Sequence, residues 1–418
     1  MKKINKFLKC CFLLLLMSFI QVDAQVSKAP AYPLITHNPY LSVWSFTDKL
    51  NESVTKHWTG SAQSMIGYIK VDDKIYRFLG DGDTSVVAEK AVQISLNMNA
   101  TQTIYQFECG GIGLKVTFTS PLLINDLDIL SRPISYISFQ SKASDGKFHD
   151  TQIYVGVSSM LSVNKIDQKV NTSLKTVNDL SMLTVGSVDQ PVLQKKGDNL
   201  RIDWGYAYIA TEKLRAKQYV STRKAAMNQF VNATPTILGT QSNELFLNTI
   251  FNKQKVGSEE KENLLLIGYD EKYAIQYFKE NLKPWWTLLH KGGMEQLLEK
   301  ANREYKQIIQ KCLALNQLIY NDAYEAGGEN YAKLCITAYR QSIAAHNLVK
   351  SSQNGELLFL SKENFSNGCI NTVDVTYPSA PLFLAYNPAL MKGMLNGIFY
   401  FSEKSGLYDK PYAAHDLG

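Results

Sequence analysis

TQTIYQFE (101–108), IGLKVTFTS (112–120), PISYISFQ (133–140) and TQIYVGVSS (151–159) follow one another with no helical pattern between them. Each is rich in Ile, Val, Thr, Tyr and Phe, and several alternate apolar and polar residues with period two, as half-buried strands do. Gly110-Gly111 and Asp145-Gly146 fall between them as turns. Strands in series without crossover helices pair antiparallel and stack as a β-sandwich. Upstream, IGYIKVDDKIYRF (66–78) places two short apolar runs around Asp72-Asp73, a hairpin signal. Downstream, RIDWGYAYIA (201–210) and ENLLLIGYD (262–270) supply further strands for the two sheets.

After residue 270 the period becomes helical. In GMEQLLEKANREYKQIIQKCLALNQLIY (293–320), Leu298, Ala301, Tyr305, Ile308, Cys312, Leu315 and Ile319 recur every three or four positions. A second helix from Glu329 places Tyr331, Leu334, Cys335, Ala338, Ser342 and Ala345 on one side, with His346 on the same stripe as a core histidine. A third starts at Asn387-Pro388, an N-cap followed by proline at the first helical position, and carries Leu390, Met394, Leu395 and Ile398. The length exceeds one ordinary core, so two domains are expected: a β-sandwich over 25–270 and a domain of helical hairpins over 271–418.

The first 24 residues read as a cleavable leader. Lys2, Lys3, Lys6 and Lys9 precede the apolar run CCFLLLLMSFI (10–20), and Val22 and Ala24 precede Gln25 as small cleavage-site residues. Eleven residues make a helix of roughly 16 Å, about half the thickness of a bilayer core, so a spanning anchor is not expected. A periplasmic or secreted product, off the membrane once cleaved, follows. Of the formal charge of +6, the leader contributes three, four Lys against Asp23, leaving +3 with the signs interspersed. That balance gives no footprint for nucleic acid or an anionic membrane. Cys109, Cys312, Cys335 and Cys369 are widely spaced, so four buried thiols are expected, with one disulfide as the rival. No Cys/His cluster has zinc spacing, and neither a metal nor another cofactor is expected.

Polar chemistry is densest from Lys362 to Tyr377, which holds Glu363, Asn364, Asn367, Asn371, Asp374 and Tyr377. A second group follows at Asp409, Lys410, Tyr412, His415 and Asp416. Carboxylates beside Asn, Tyr and His suit an active-site rim, where one group activates water and another protonates a leaving group. The competing account is a loop whose Asn, Ser and Gly residues only shape turns. HNPYLSVWSFTDKLNESVTKHWTG (37–60) concentrates His37, Tyr40, Trp44, Asp48, His57 and Trp58, either as an aromatic platform for a substrate or as a domain-interface pin. S-x-x-K occurs from Ser53, Ser144, Ser162, Ser221 and Ser258, about as often as chance supplies, and GxSxG, HExxH, P-loop and dinucleotide fingerprints are missing. Hydrolysis by carboxylates and water is therefore favoured over a Ser or Cys nucleophile.

The segments PLITHNPYLSVWSFTDKLNESVTKHWTG, IKVDDKIYRFLG, NTVDVTYPSAPLFLAYNP and KPYAAHDLG resemble the glutaminase A family of exported bacterial and fungal proteins, from about Pro33 to Gly418. The resemblance implies an N-terminal β-sandwich followed by an all-α (α/α)6 toroid of the six-hairpin glycosidase type, and hydrolysis of the side-chain amide of L-glutamine. Family chains continue beyond HDLG with further hairpins, so an incomplete ring is expected from the 148 residues of 271–418. Carried onto this sequence, Asp374 of NTVDV and His415 and Asp416 of HDLG become the catalytic candidates, with Glu363 of SKEN beside them. Asp374 or Asp416 would act as base on water, and His415 as proton donor or substrate ligand. Asn371, Tyr377, Tyr412, Trp44 and His57 are the substrate-binding candidates. The partner is a small molecule, glutamine or a sugar, and the oligomeric state is left open. The alternatives are a glycoside hydrolase acting on oligosaccharides, or an inactive binding fragment.

Overall fold

The computed structural model describes residues 28–82, 87–226, 230, 241–242 and 244–418, so the expected leader lies outside the described residues. Two largely antiparallel sheets face each other. One has nine strands, in spatial order Gln241–Ser242, Lys169–Val177, Leu180–Ser187, Tyr206–Glu212, Lys261–Asp270, Ile134–Ala143, Ile112–Thr119, Gln102–Cys109 and Val92–Met98. The other centres on His149–Ser158, flanked by Leu245–Phe251 and Met65–Val71, with Ala216–Thr222 and Lys74–Leu79 outside them. The opening hairpin, Gln102–Cys109 to Ile112–Thr119, turns on Gly110 and Gly111 at φ 58° and 89°. Positive φ at both central residues is the two-residue turn whose twist matches the strands. A Cβ on Gly110 would also lie 2.5 Å from the Tyr76 hydroxyl.

Alternation sorts the strands between two cores. Ile137 and Phe139 join Val116, Phe107, Phe78 and Ile153 in the core between the sheets. Tyr136, one residue out of phase, points the other way with Leu180, Met182, Tyr208 and Leu266. That outer face buries against Met294, Leu297, Leu298, Ala301, Ile308 and Cys312 of the helical segment. A strand buried on both faces loses its polar positions, which is why LLLIGY (264–269) is nearly continuous in apolar residues.

The helical run Gly293–Ala344 spans 52 residues but breaks at Gly328, whose φ of 74° and ψ of −169° belong to glycine alone. Two side chains show what the break does. Asn316 accepts from the Thr101 amide (2.9 Å) and hydroxyl (2.8 Å) and donates to Gln102. Arg340 donates to Thr36 Oγ1, Thr103 Oγ1 and the Asn99 carbonyl. On a straight helix these residues would stand about 36 Å apart. Residues 99–103 extend at most about 14 Å. Both arms therefore return to the same short segment, and the run is a helical hairpin folded at Gly328.

The second arm buries a different face from the one its apolar residues indicate. Ala332, Ile336, Tyr339, Arg340 and Ile343 are inside, whereas Tyr331 and Leu334 are exposed and Cys335 is half-buried. Polar anchors set the phase: beside Arg340, Tyr339 donates to the Leu122 carbonyl. His346 is a core residue but opens a strand, His346–Lys350, which pairs with Leu357–Ser361. Its Nδ1 lies 2.6 Å from the Ser342 carbonyl and its ring stacks 4.6 Å from Phe359. Part of the polar stretch before Asn387 is helical, over Val373–Tyr386, and Pro388–Phe399 follows with Asn387 capping Ala389 N. Cys109 and Cys312 are buried thiols, but Cys335 and Cys369 are only half-buried; all four are unpaired.

Asn316→Leu keeps the volume but strands the Thr101 donors in the interior. We expect a loss of about 1–3 kcal/mol in urea unfolding. Leu318→Gln, on the exposed side of the same turn, should stay within about 0.5 kcal/mol; equal losses at both positions would contradict a specific lock.

Candidate active site

The chain comes together locally around the segment 361–374. Asn371 takes a left-handed turn (φ 51°) and is fully buried, its Nδ2 donating to the Met394 carbonyl under the Pro388–Phe399 helix. The next residue, Thr372, receives support at its amide from Ser361 Oγ. Residues 415–418 then lie back along this segment: Val373 N donates to the His415 carbonyl, Leu417 N to the Ile370 carbonyl, and Ile370 N to Gly418. This pairing places His415 and Asp416 beside Asp374, which sits in the first turn of the Val373–Tyr386 helix.

His415 Nδ1 lies 2.8 Å from Asp416 Oδ2, and its Nε2 lies 3.7 Å from Asp374 Oδ2. The first is a hydrogen bond; the second is too long to be one. Asp416 also accepts from the Gly418 amide (2.8 Å) and interacts with the Cys369 thiol. Burial acts to raise the Asp416 carboxyl, but the bonds from His415, Gly418 and Cys369 outweigh it and hold the group below its ordinary value. The hydrogen bond to Asp416 raises His415 above its ordinary value, with the Asp374 charge adding to it. Burial and the neighbouring Asp416 push the Cys369 thiol up, away from a reactive thiolate. The side chains of His415 and Asp374 are 62% and 70% exposed against 23% for Asp416. One carboxylate is thus fixed and orients the imidazole, while the other faces solvent.

Pro378 and Pro381 lie inside the Val373–Tyr386 helix. Each lacks the N–H that would bond four residues back, which leaves the carbonyls of Asp374 and Tyr377 without their helical partner. The side chain of Tyr377 is exposed on this helix, and Tyr412 is exposed near Tyr408. Glu363 is half-buried and accepts from Ser366 Oγ, with its amide donating to Cys369.

Two candidates are not brought to this cluster. Trp44 is buried in a three-stranded sheet and donates to Ser42 Oγ; His57, on the adjoining strand, is buried with both ring nitrogens engaged by Thr59 and the Pro39 carbonyl. Burial depresses His57 to about 3, so it is a neutral structural residue. Asn371, too, faces the interior and shapes the turn.

Lys195, Lys196, Arg201 and Trp204, which the sequence did not single out, lie alongside. A cleft of about 220 Å³ runs between the 193–204 loop and 362–370, lined by Lys195, Lys196, Arg201, Lys362, Tyr40 and Trp204, with Gly418 at its edge. Its two sides lie some 160 residues apart in sequence, so no local motif marks them. Glu271 is raised to about 8 by burial, but Asn38 Nδ2 holds it and the adjoining cavity of about 20 Å³ has room only for a water molecule. Among the described residues, no group of three or more His, Cys, Asp and Glu side chains is placed to hold a metal ion.

Family comparisons cover most of the chain. A model of a domain of unknown function, DUF4964, matches residues 7–89, and a second, DUF5127, matches 101–322. The model of the glutaminase A six helical-hairpin domain matches 328–418. Glutaminase A of Aspergillus oryzae is 26% identical over 412 residues, covering 94% of this chain and 59% of that protein. A probable glutaminase of Arthroderma benhamiae is 23% identical, covering 92% and 48% respectively. The chain therefore spans about half the length of these curated relatives. Among solved structures, one described as a kojibiose phosphorylase from the human microbiome has a TM-score of 0.45 at 10% identity, covering 89% of this chain and 46% of that one. With one model over more than half of its length, the six-hairpin model on its C-terminal residues and glutaminases aligned along nine-tenths of it, the chain belongs to the glutaminase A family.

Proposed function

We propose that the Asp374–His415–Asp416 cluster hydrolyses the side-chain amide of L-glutamine to glutamate and ammonia. The observation that carries this is the division of labour between the two carboxylates. Asp416 is tied down and favours the protonated form of His415, whereas Asp374 is exposed to water. Asp374 removes a proton from water as the water oxygen bonds to the amide carbon. When the C–N bond breaks, the nitrogen takes a proton from His415 Nε2 and leaves as ammonia. The kinship to glutaminases supplies the substrate class.

Ammonia release from L-glutamine by the purified chain and by a longer family member is the direct test. Silence in both, with new reducing ends from an oligosaccharide, would replace this function with glycoside hydrolysis. Asp374→Asn in whichever protein is active should lower kcat by about 10²-fold or more; an unchanged rate would remove Asp374 from the mechanism.

The pH dependence has a definite sign. His415 must be protonated to act as an acid, so activity falls as pH rises through its raised pKa. Asp416→Asn removes the main cause of that rise, and the alkaline limb of kcat/KM should move to lower pH. A limb that stays in place would show that Asp416 does not tune the acid.

We also propose that the protein acts after export. The N-terminal sequence of material recovered outside the cytoplasm should begin at Gln25; material retained inside and still starting at Met1 would contradict this.

A further inference from the structure

The cleft beside the catalytic cluster carries an excess of positive charge, which Asp203, near Lys195 and Arg201, and Glu363, near Lys362, offset only in part. Four cations line it, and no Asp or Glu side chain does. Lys195 is paired with Asp203. The other three have no carboxylate within ion-pair distance among the described residues. Lys362 is half-buried, and its ammonium is engaged by the Gly368 carbonyl. Arg201 is half-buried and donates to the carbonyls of Asn199 and Asn164, while its buried Nε has no partner. Lys196 stands exposed at the rim. Carbonyl dipoles satisfy donors but leave the net charge in place, and withdrawing such a charge from water is costly unless an anion joins it. Burial accordingly pulls Lys362 down to about 8.

The remaining wall is largely apolar, with Gln194 and Gln276 as its polar side chains, and in it Tyr40 and Trp204 meet edge to face at 5.1 Å. The volume of about 220 Å³ falls below the usual range for drug-sized ligands, about 300–1,000 Å³, so it suits a single small metabolite. The cleft adjoins the catalytic cluster along one strip of backbone. Ile370, in its wall, pairs with Leu417 and Gly418, and Gly418 is at most about 7 Å along the chain from Asp416.

We infer that this cleft is a carboxylate-binding subsite, in which Lys362 and Arg201 hold the α-carboxylate of an amino-acid substrate and Tyr40 and Trp204 border its methylene chain. This assignment rests on the amidohydrolase function proposed above. It adds a recognition element drawn from the sandwich loop as well as from the helical segment, so that the substrate is read by both parts of the chain.

Calorimetric titration of L-glutamate into the purified protein tests it without requiring turnover. Lys362→Met and Arg201→Met should each weaken binding by about tenfold or more, since each removes a charge-assisted hydrogen bond. Lys362→Arg should restore most of the loss, and circular dichroism should show every variant folded. If Lys362→Met unfolds the protein, Lys196→Met at the rim should still weaken binding by about threefold. Glutaminamide, whose α-carboxylate is blocked, should bind no better to wild type than to Lys362→Met. Equal binding of glutamate to wild type and both Met variants would overturn the subsite, as would inorganic phosphate outcompeting glutamate at Lys362. Glutamate bound through Lys362 without ammonia release would remove the amidohydrolase function alone. Ammonia release with unchanged KM in Lys362→Met would remove the subsite alone.

Discussion

Residues 99–103 hold both arms of the helical hairpin, and the placement of everything after them follows from that grip. Asn316 on the first arm and Arg340 on the second reach the same five residues, at the edge of the nine-stranded sheet. Arg340 is completely buried and has no carboxylate at ion-pair distance among the described residues, yet hydroxyl and carbonyl oxygens receive its guanidinium. Burial lowers it only to about 9, so the group keeps its charge at neutral pH. A buried charge of this kind is a poor source of net stability, because its desolvation offsets most of what its hydrogen bonds return. Its effect is on register: any other rotation of the second arm would leave the guanidinium in an apolar seam. Hydrophobic burial along Leu298, Ala301, Ile308 and Cys312 supplies the attraction. The polar contacts select one arrangement from the many that such a seam would accept.

A second link of the same kind reinforces the junction at the other end of the first arm. Arg132, nearly buried, reaches Asp128 at 2.5 Å and Glu304 at 2.6 Å, and His290 contacts the same Asp128. Burial alone would raise the Asp128 carboxyl, but Arg132 and His290 more than reverse it and hold the group well below its ordinary range. Charges from the short helix Leu127–Ser131 and its C-cap thus meet those of the helical run in one network, which is more costly to break than an exposed pair.

The sandwich and the helical periodicity were legible in the sequence because both follow from solvent on one side of an element and core on the other. Tyr136 against Ile137 and Leu298 against Glu299 show the two periods directly. Legibility failed where polar residues took core positions. Arg340 and Tyr339 define the buried face of the second arm, so a count of apolar residues selected the Tyr331–Leu334 face, which is exposed. The Val373–Tyr386 helix was hidden by Pro378, Pro381 and its β-branched start, all of which argue against helix locally but are tolerated here. In the site, Asp374, His415 and Asp416 stood within polar groups read from their chemistry and were singled out by the family resemblance, and Trp44 and His57 attracted notice for their residue types. Exposure separates the two sets, and exposure is a tertiary property. Lys362 and Arg201 could not be paired at all, because only the folded chain brings 201 beside 362.

The Asp374–His415–Asp416 cluster combines a rigid base with side chains in solvent. Asn371 and Thr372 are buried beneath it, and backbone pairing from 415–418 fixes the chain at its edge. This matters because His415 is exposed, so its neighbours rather than burial set its protonation. The tuning of His415 comes from position: its hydrogen bond to a half-enclosed Asp416 on one side and an unbonded gap of 3.7 Å to Asp374 on the other. Such a gap is where a reacting amide nitrogen could receive the imidazole proton, provided the base does not let the two side chains collapse onto each other. The left-handed turn at Asn371 meets that need, since it separates the strand-like pairing of Ile370 from the helix that begins at Val373, which holds Asp374 beside His415 without bonding to it.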